Sequence, residues 1–265
     1  MATQLMFYET VVPVSPQRHG NWCVESGSRY EFAKHVNSVP LVAVEIPMVA
    51  REYTVVFADA GDEVLPLVIL GLKDTENLYI ESDGTWSAKY LPAFVRRYPF
   101  IFSASEDRTK FTLCIDESWT GCNQEGRGQR LFDEQGQRTP LLERIMGFHQ
   151  DYHVNAERTK HYCRRLVELD LLESKGVEFN LSNGEKLSLG GFKVISREKF
   201  KALPAETIHE MFQTGELELT YAHLLSLSNL ALLAERVGQQ RSEDATATPE
   251  ATEEPAEATS EEATS

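Results

Sequence analysis

The chain has 265 residues, 42% of them hydrophobic and 25% charged, which is enough to bury a substantial core as one domain. Its net charge of −15 argues against a nucleic-acid surface, which needs a basic footprint to displace counterions from phosphates. The charge is unevenly spread, because residues 239–265 hold eight acids against Arg241 and so carry −7, leaving −8 for the rest.

The opening MATQLMFYETVVPVSP has no basic leader and no long apolar run, so a cleaved export signal is not expected. No stretch reaches the roughly 18 apolar residues that span a bilayer; the nearest approach, residues 64–72, is interrupted by Pro66. These features lead to the expectation of a cytoplasmic protein with no integral membrane segment. The alternative is a cell-surface location reached without a cleaved signal. Cys23, Cys114, Cys122 and Cys163 lack CxxC spacing and are read as reduced thiols, with a Cys114–Cys122 bridge as the alternative.

In chain order, Pro13, Pro16, Gly20 and Gly27 break the first forty residues into a loop-rich lead-in anchored by Trp22 and Tyr30. A short strand is expected over 41–45 and a helical turn over 47–51. A hairpin pairs 53–58 with 64–72 across Asp59, Ala60, Gly61 and Asp62. Another strand is expected over 77–81, followed by a turn at Ser82, Asp83 and Gly84.

The next stretch, TWSAKYLPAFVRRYPFIF over 85–102, concentrates Trp86, Tyr90, Phe94, Tyr98, Phe100 and Phe102 around a paired arginine. Ser87 can cap a helix whose Tyr90, Leu91, Phe94, Val95 and Tyr98 recur at three and four residues, and Pro99 stops it before a buried strand over 100–102. Arg96 and Arg97 are candidate binding residues, with Tyr98 beside them, because a guanidinium is seldom buried without a carboxylate or phosphate partner. They point about 100° apart on a helix, so only one can face the aromatic seam. The expectation is that Arg96 is structural and Arg97 accessible.

A strand over 111–115 leads into a glycine-rich connection over 120–139. That connection lacks both the lysine and hydroxyl of a Walker loop and the strand-to-helix setting of a dinucleotide fingerprint, so it reads as a flexible link. Thr139 and Pro140 then open a long helix to about residue 172, with a break expected near Asn155. His149, His153, Glu157 and His161 form a stripe at four-residue spacing, where His149 and His153 are placed to share a divalent metal in principle. Leu142, Ile145, Tyr152, Ala156, Cys163 and Leu166 put the buried face beside the same stripe, so the histidines are read as core or boundary residues. His149, Gln150 and Asp151 imitate half of an iron dioxygenase triad, but on a helix instead of a strand. Neither metal nor cofactor is expected; purified protein should hold no stoichiometric zinc, iron or manganese.

A second hairpin joins 177–181 to 185–189 through Ser182, Asn183 and Gly184, and Gly190 and Gly191 bend the chain into 192–195. Ser196 caps a first helical turn, and Pro204 starts a helix that Gly215 ends. A last helix over 217–237 buries Leu219, His223, Leu224, Leu227, Leu230 and Leu233, with His223 read as a satisfied core histidine before a catalytic one. Residues 239–265 contain no aromatic or large aliphatic side chain and should form a disordered acidic tail. Deleting them should leave thermal unfolding unchanged, and a midpoint lowered by several degrees would show instead that the tail docks.

Hairpin turns in place of regular βαβ alternation favour an α+β fold over residues 1–238: a mostly antiparallel sheet with packed helices, followed by the disordered tail at 239–265. A double-stranded barrel with inserted helices is the runner-up. Two segments carry a family resemblance. LPAFVRRYPFIF, residues 91–102, and the run over 190–229, with Tyr221, Ala222, His223, Leu224, Leu225, Ser226, Leu227 and Asn229, resemble the SapC family of bacterial proteins. The resemblance spans roughly residues 5–238. It implies association with S-layer or cell-surface protein production and adds Tyr221 and His223 to the candidate binding residues, but supplies no catalytic set. The reading that follows is a non-enzymatic accessory factor with a protein partner from a surface-layer or outer-membrane-associated system. A peptide- or protein-modifying enzyme, with a polar pocket near Arg96, Arg97 and a histidine, is one alternative. A structural component of the surface layer is the other.

Overall fold

A computed structural model describes residues 5–25, 27, 29–105, 109–180 and 186–247. The chain opens with β1 (Val11–Pro13), α1 (Pro16–His19) and β2 (Cys23–Val24), then β3 (Ser38–Pro40), α2 (Ile46–Val49), β4 (Thr54–Ala60) and β5 (Glu63–Ile69). The middle holds α3 (Ala93–Arg96), β6 (Phe100–Ala104), β7 (Phe111–Asp116), β8 (Cys122–Asn123), β9 (Gln129–Arg130) and the long α4 (Pro140–Glu168). The last part is β10 (Leu172–Asn180), β11 (Lys186–Ile195), α5 (Arg197–Lys201), α6 (Ala205–Thr214), α7 (Glu216–Ser226) and α8 (Leu230–Ala247).

Among the described residues the strands form antiparallel sheets in the orders β10-β11-β4-β5-β3, β1-β7-β6 and β8-β2-β9. With helices packed on them, the fold is α+β, as the turn pattern implied. The β4–β5 hairpin closes at Ala60↔Glu63, and Gly61 takes the left-handed conformation the turn needs. The larger core gathers Tyr53, Val55, Phe57, Phe94, Tyr162 and Leu166; a smaller one gathers Phe100, Leu113, Ile115, Leu131 and Leu142.

Several expected elements differ, each because a side chain competes for the backbone. Residues 43–45 form a 3-10 turn, not a strand: the Glu45 carboxylate folds back and accepts the Val42 N–H at 3.3 Å. The 77–81 segment reduces to an Ile80↔Trp86 bridge, because the Asn77 side chain accepts from the Tyr79 N–H and donates to the Ala33 carbonyl. The helix expected to start after Ser87 is the single turn α3. The Ala93 amide, which the longer helix would give to the Lys89 carbonyl, donates to Glu45 instead; the amides of Lys89 and Tyr90, first-turn donors with no partner inside such a helix, donate to the Glu52 carboxylate. Ser87 caps nothing; its hydroxyl accepts from Arg236 at 2.9 Å.

The glycine-rich connection is not a free link. Its β8 and β9 both pair with β2, and the Asn123 side-chain oxygen Oδ1 accepts from the Glu125 and Arg127 backbone amides. At Gly128 (φ 91°) an added Cβ would stand 2.3 Å from the Val24 carbonyl oxygen, so only glycine fits. Thr139 caps α4 as expected, accepting from the Leu142 N–H, but α4 runs unbroken past Asn155, whose amide bonds back to the Asp151 carbonyl. Strands β10 and β11 extend the expected hairpin away from its turn, back to Leu172 and on to Ile195; the turn, Ser182, Asn183 and Gly184, lies outside the described residues.

The expected last helix breaks at a 3-10 turn, Leu227–Asn229, and its polar residues explain the break. Strands β11 and β4 pair only at Lys193↔Phe57, so the facing residues Ile195 and Val55 sit where the two strands separate. His223 Nε2 accepts the Ile195 N–H at 3.0 Å and Ser226 Oγ accepts the Val55 N–H at 3.1 Å. Asn229 Nδ2 donates to the carbonyls of Ala50 and Tyr53 at 2.9 and 2.7 Å. Three side chains at three-residue spacing thus satisfy backbone groups that the splayed sheet leaves open. Asn229→Ala should therefore cost about 2 kcal/mol in denaturant unfolding, since a buried acceptor loses its donor. A loss under about 0.5 kcal/mol would show that water replaces the amide.

The helical run Glu216–Gly238 is long and apolar enough to cross a membrane by length and composition. In this fold Ala222, His223, Leu224, Ser226, Leu233 and Val237 of that run are buried in the protein. Helix α8 continues to Ala247, beyond the boundary expected at residue 238, and residues 248–265 of the expected tail lie outside the described residues.

Candidate functional site

The segment from α3 to β6 straddles both cores: Phe94 and Val95 pack into the larger one and Phe100 into the smaller. Helix α4 crosses both as well, with Leu142 in the smaller and Tyr162 and Leu166 in the larger. Where the two elements pass each other they leave a cleft of about 340 Å³, lined by Arg96, Arg97 and Phe100 on one side and by Leu141, Arg144, Ile145, Phe148 and His149 on the other.

The two candidate arginines take the opposite roles to those expected. Arg97 is 4% exposed, its guanidinium 4.0 Å from the Phe94 ring centroid and 5.2 Å from that of Tyr152. Arg96 is the accessible one, with 44% of its side chain exposed and its guanidinium 5.4 Å from the Phe148 ring centroid and 5.6 Å from that of Tyr90. The reversal follows from packing: Arg97, three residues on from Phe94, shares its face and is enclosed by Tyr8, Phe94 and Tyr152. With Phe94 and Val95 directed into the core, Arg97 continues inward and Arg96 outward.

Glu45, which sequence reasoning did not single out, lies behind Arg96. Its buried carboxylate accepts from Tyr90 Oη at 2.8 Å and from the Ala93 N–H at 2.7 Å, while Arg96 Nη2 stands 4.0 Å away. Burial raises its carboxyl pKa above the usual range, opposed by those hydrogen bonds. Arg144, on the cleft's other wall, reaches Gln129 Oε1 at 3.4 Å and has no carboxylate within 4 Å among the described residues. Its place was legible in part: Leu141, Arg144, Ile145 and Phe148 recur at helical spacing, but a lone arginine on a long helix ordinarily reads as solvated surface.

His149 closes the back of the cleft at 3% exposure. Burial pushes its pKa down to about 4, with the Arg97 charge acting in the same direction, so the ring is neutral near pH 7. It hydrogen-bonds the Arg97 backbone. Because the Arg97 N–H is already given to the Ala93 carbonyl, the ring donates to the Arg97 carbonyl. His149 Nε2 is buried with no hydrogen-bond partner, which makes Nδ1 the donor and leaves the Nε2 lone pair open. The rest of the stripe does not converge here. His153 rests on Phe111 with ring centroids 4.3 Å apart, and His161 is exposed. Among the described residues no three His, Cys, Asp or Glu side chains are grouped to hold a metal ion.

A second cleft of about 220 Å³ adjoins the first and shares Arg96, Phe100 and Ile145 with it. Its wall is aromatic, with Tyr30, Phe32, Tyr98 and Trp119. Tyr98 stacks on Phe32 at 4.2 Å, donates to Asp116 Oδ2 at 3.4 Å, and precedes Pro99 through a cis peptide. Tyr221 and His223 line neither cleft. Tyr221 is 51% exposed and packs edge-on against Phe200. His223 is fully buried, its pKa pushed down to about 3 by burial, and its Nε2 serves the sheet end described above.

Cys23, Cys114, Cys122 and Cys163 are free thiols, so the alternative Cys114–Cys122 bridge is not formed. Comparison with curated proteins finds no match, and comparison with solved structures finds none either. The SapC family profile, by contrast, matches residues 14–233, spanning both clefts and the sheet-end residues His223, Ser226 and Asn229, and the chain belongs to the SapC family.

Proposed function

We propose that this SapC family protein is a non-enzymatic accessory factor in the production of S-layer or other cell-surface proteins, acting in the cytoplasm on a protein partner. The association with surface proteins rests on the family resemblance; the mode of action rests on the cleft. The observation that carries it is that a chain of net charge −15 lines one cleft with Arg96, Arg97 and Arg144 and with no acid. A positive, apolar-floored concavity on an acidic surface selects an anionic group attached to an apolar one.

The test is co-purification and cross-linking from the native cell with wild-type protein and with Arg96→Gln combined with Arg144→Gln. Both side chains are outside the core, so the double variant should melt like wild type while losing at least about tenfold of its captured surface-system partner. An unchanged partner yield would reject the cleft as the recognition surface. Fractionation that places the protein in the surface layer would reject the accessory role in favour of a structural one.

A second reading, a peptide- or protein-modifying enzyme, is favoured by one observation: the open Nε2 of a neutral histidine beside arginines is an arrangement a general base uses. It predicts a mass change in the partner after incubation with wild-type protein that His149→Phe abolishes.

A further inference from the structure

We propose that the cleft between α3 and α4 takes the C-terminal end of a peptide. The terminal carboxylate meets Arg96 and Arg144, the last side chain rests on Phe100, Ile145 and Phe148, and the last amide N–H donates to His149 Nε2. This rests on the recognition reading above and names its ligand.

The groups lining the cleft set the ligand's chemistry one at a time. Arg144 has no carboxylate within 4 Å among the described residues, and Arg96 reaches Glu45 only at 4.0 Å, so an anion entering the mouth gains charge-assisted bonds that the protein leaves open. The floor is apolar, and about 340 Å³ is at the small end of ligand clefts, which run from roughly 300 to 1,000 Å³. That space suits one terminal residue, not a folded surface. His149 adds the discriminating element. Its Nδ1–H is used on the Arg97 carbonyl, so Nε2 keeps an unpartnered lone pair, buried in a ring that lines the back of the cleft, which a ligand seated against that ring satisfies with a donor and which opposes a second anionic oxygen. A phosphate monoester at pH 7 is mostly a dianion that brings acceptors alone and leaves that lone pair unsatisfied. A free amino acid brings a donor, but as an ammonium among Arg96, Arg97 and Arg144, where like charge opposes it. An acylated terminal residue has the anion, the apolar side chain and a neutral N–H within a few bonds of one another.

The same chemistry is offered by a small acylated amino acid and by a peptide end, so the experiment separates them. Isothermal titration of the full chain at pH 7 uses N-acetyl-L-phenylalanine, its carboxamide, 3-phenylpropionate, L-phenylalanine, inorganic phosphate and a pentapeptide ending in phenylalanine. N-acetyl-L-phenylalanine should bind, with the carboxamide, 3-phenylpropionate and L-phenylalanine each weaker by about tenfold or more, and phosphate weaker still. The pentapeptide should bind at least as tightly as the acetylated residue; weaker binding would assign the cleft to a small acylated acid and overturn the peptide end. Arg144→Gln should weaken the acid about tenfold without lowering the melting midpoint. His149→Phe should abolish the preference over 3-phenylpropionate. If that variant does not fold, the ranking of probes on the wild-type chain decides alone. Acid and carboxamide binding within about twofold of each other, or no probe binding at about 10 mM, would overturn the inference. Partner capture that still depended on Arg96 and Arg144 in that case would leave the accessory function standing and remove only the peptide end.

Discussion

Acidifying the protein from pH 7 to pH 4.5 should remove about 5 kcal/mol of stability through His149 and His223 alone. Both rings are buried and neutral, with pKa values lowered by burial to about 4 and about 3 from an ordinary 6.5. The unfolded chain takes up a proton on each as pH falls below 6.5, and the folded chain does not until each lowered pKa is reached. Stability is therefore lost as pH falls through this window, at about 2.7 kcal/mol per pH unit for two protons. Glu45 works the other way. Its raised pKa means the folded state gains a proton first, which offsets part of the loss where it titrates. Asp116 adds to the loss only at lower pH: burial opposes its charge, yet hydrogen bonds from Ser118, Glu9 and Thr10 hold its carboxyl below the usual range. Denaturant unfolding at several pH values from 7 to 4.5 measures the slope. His149→Phe should reduce it by one proton, about 1.4 kcal/mol per unit, and a wild-type slope below one proton would show that these rings meet water.

What could be read from the sequence was whatever depends on neighbours in the chain. The β4–β5 hairpin follows from β-branched runs around Gly61, the start of α4 from Thr139 and Pro140, and the end of α6 from Gly215. What could not be read depends on distant carboxylates. Nothing within 85–98 indicates that Glu45 will take the Ala93 amide, which a helix begun after Ser87 would give to the Lys89 carbonyl. The arginine pair shows the same limit at one position. Helical spacing requires Arg96 and Arg97 to diverge, but which one turns inward is decided by Tyr8, Phe94 and Tyr152 packing around Arg97. The candidate site was half legible. Arg96, Arg97 and a histidine do meet in one cleft, yet the histidine is His149 on α4 and not His223, whose apolar helical neighbours look much the same in sequence.

Phe94→Ala should cost about 3 to 5 kcal/mol, because a ring that is 1% exposed leaves a cavity the surrounding core cannot close. The neighbouring arginine shares that fate. Arg97 lies face-on to Phe94 at 4.0 Å, hydrogen-bonds Tyr8, and has Tyr152 at 5.2 Å, so Arg97→Gln removes a desolvated cation–π contact worth about 2 kcal/mol or more and leaves a gap where the guanidinium packed. Arg96→Gln should change stability by no more than about 0.5 kcal/mol: its side chain is 44% exposed, and Glu45, 4.0 Å away, keeps its bonds to Tyr90, Ala93 and Val42 without it. Urea unfolding of the three variants checks the set. An Arg96 loss as large as that of Arg97 would mean that Glu45 depends on Arg96 for its charge, and the outer wall of the cleft would then be part of the core and not a surface for a partner.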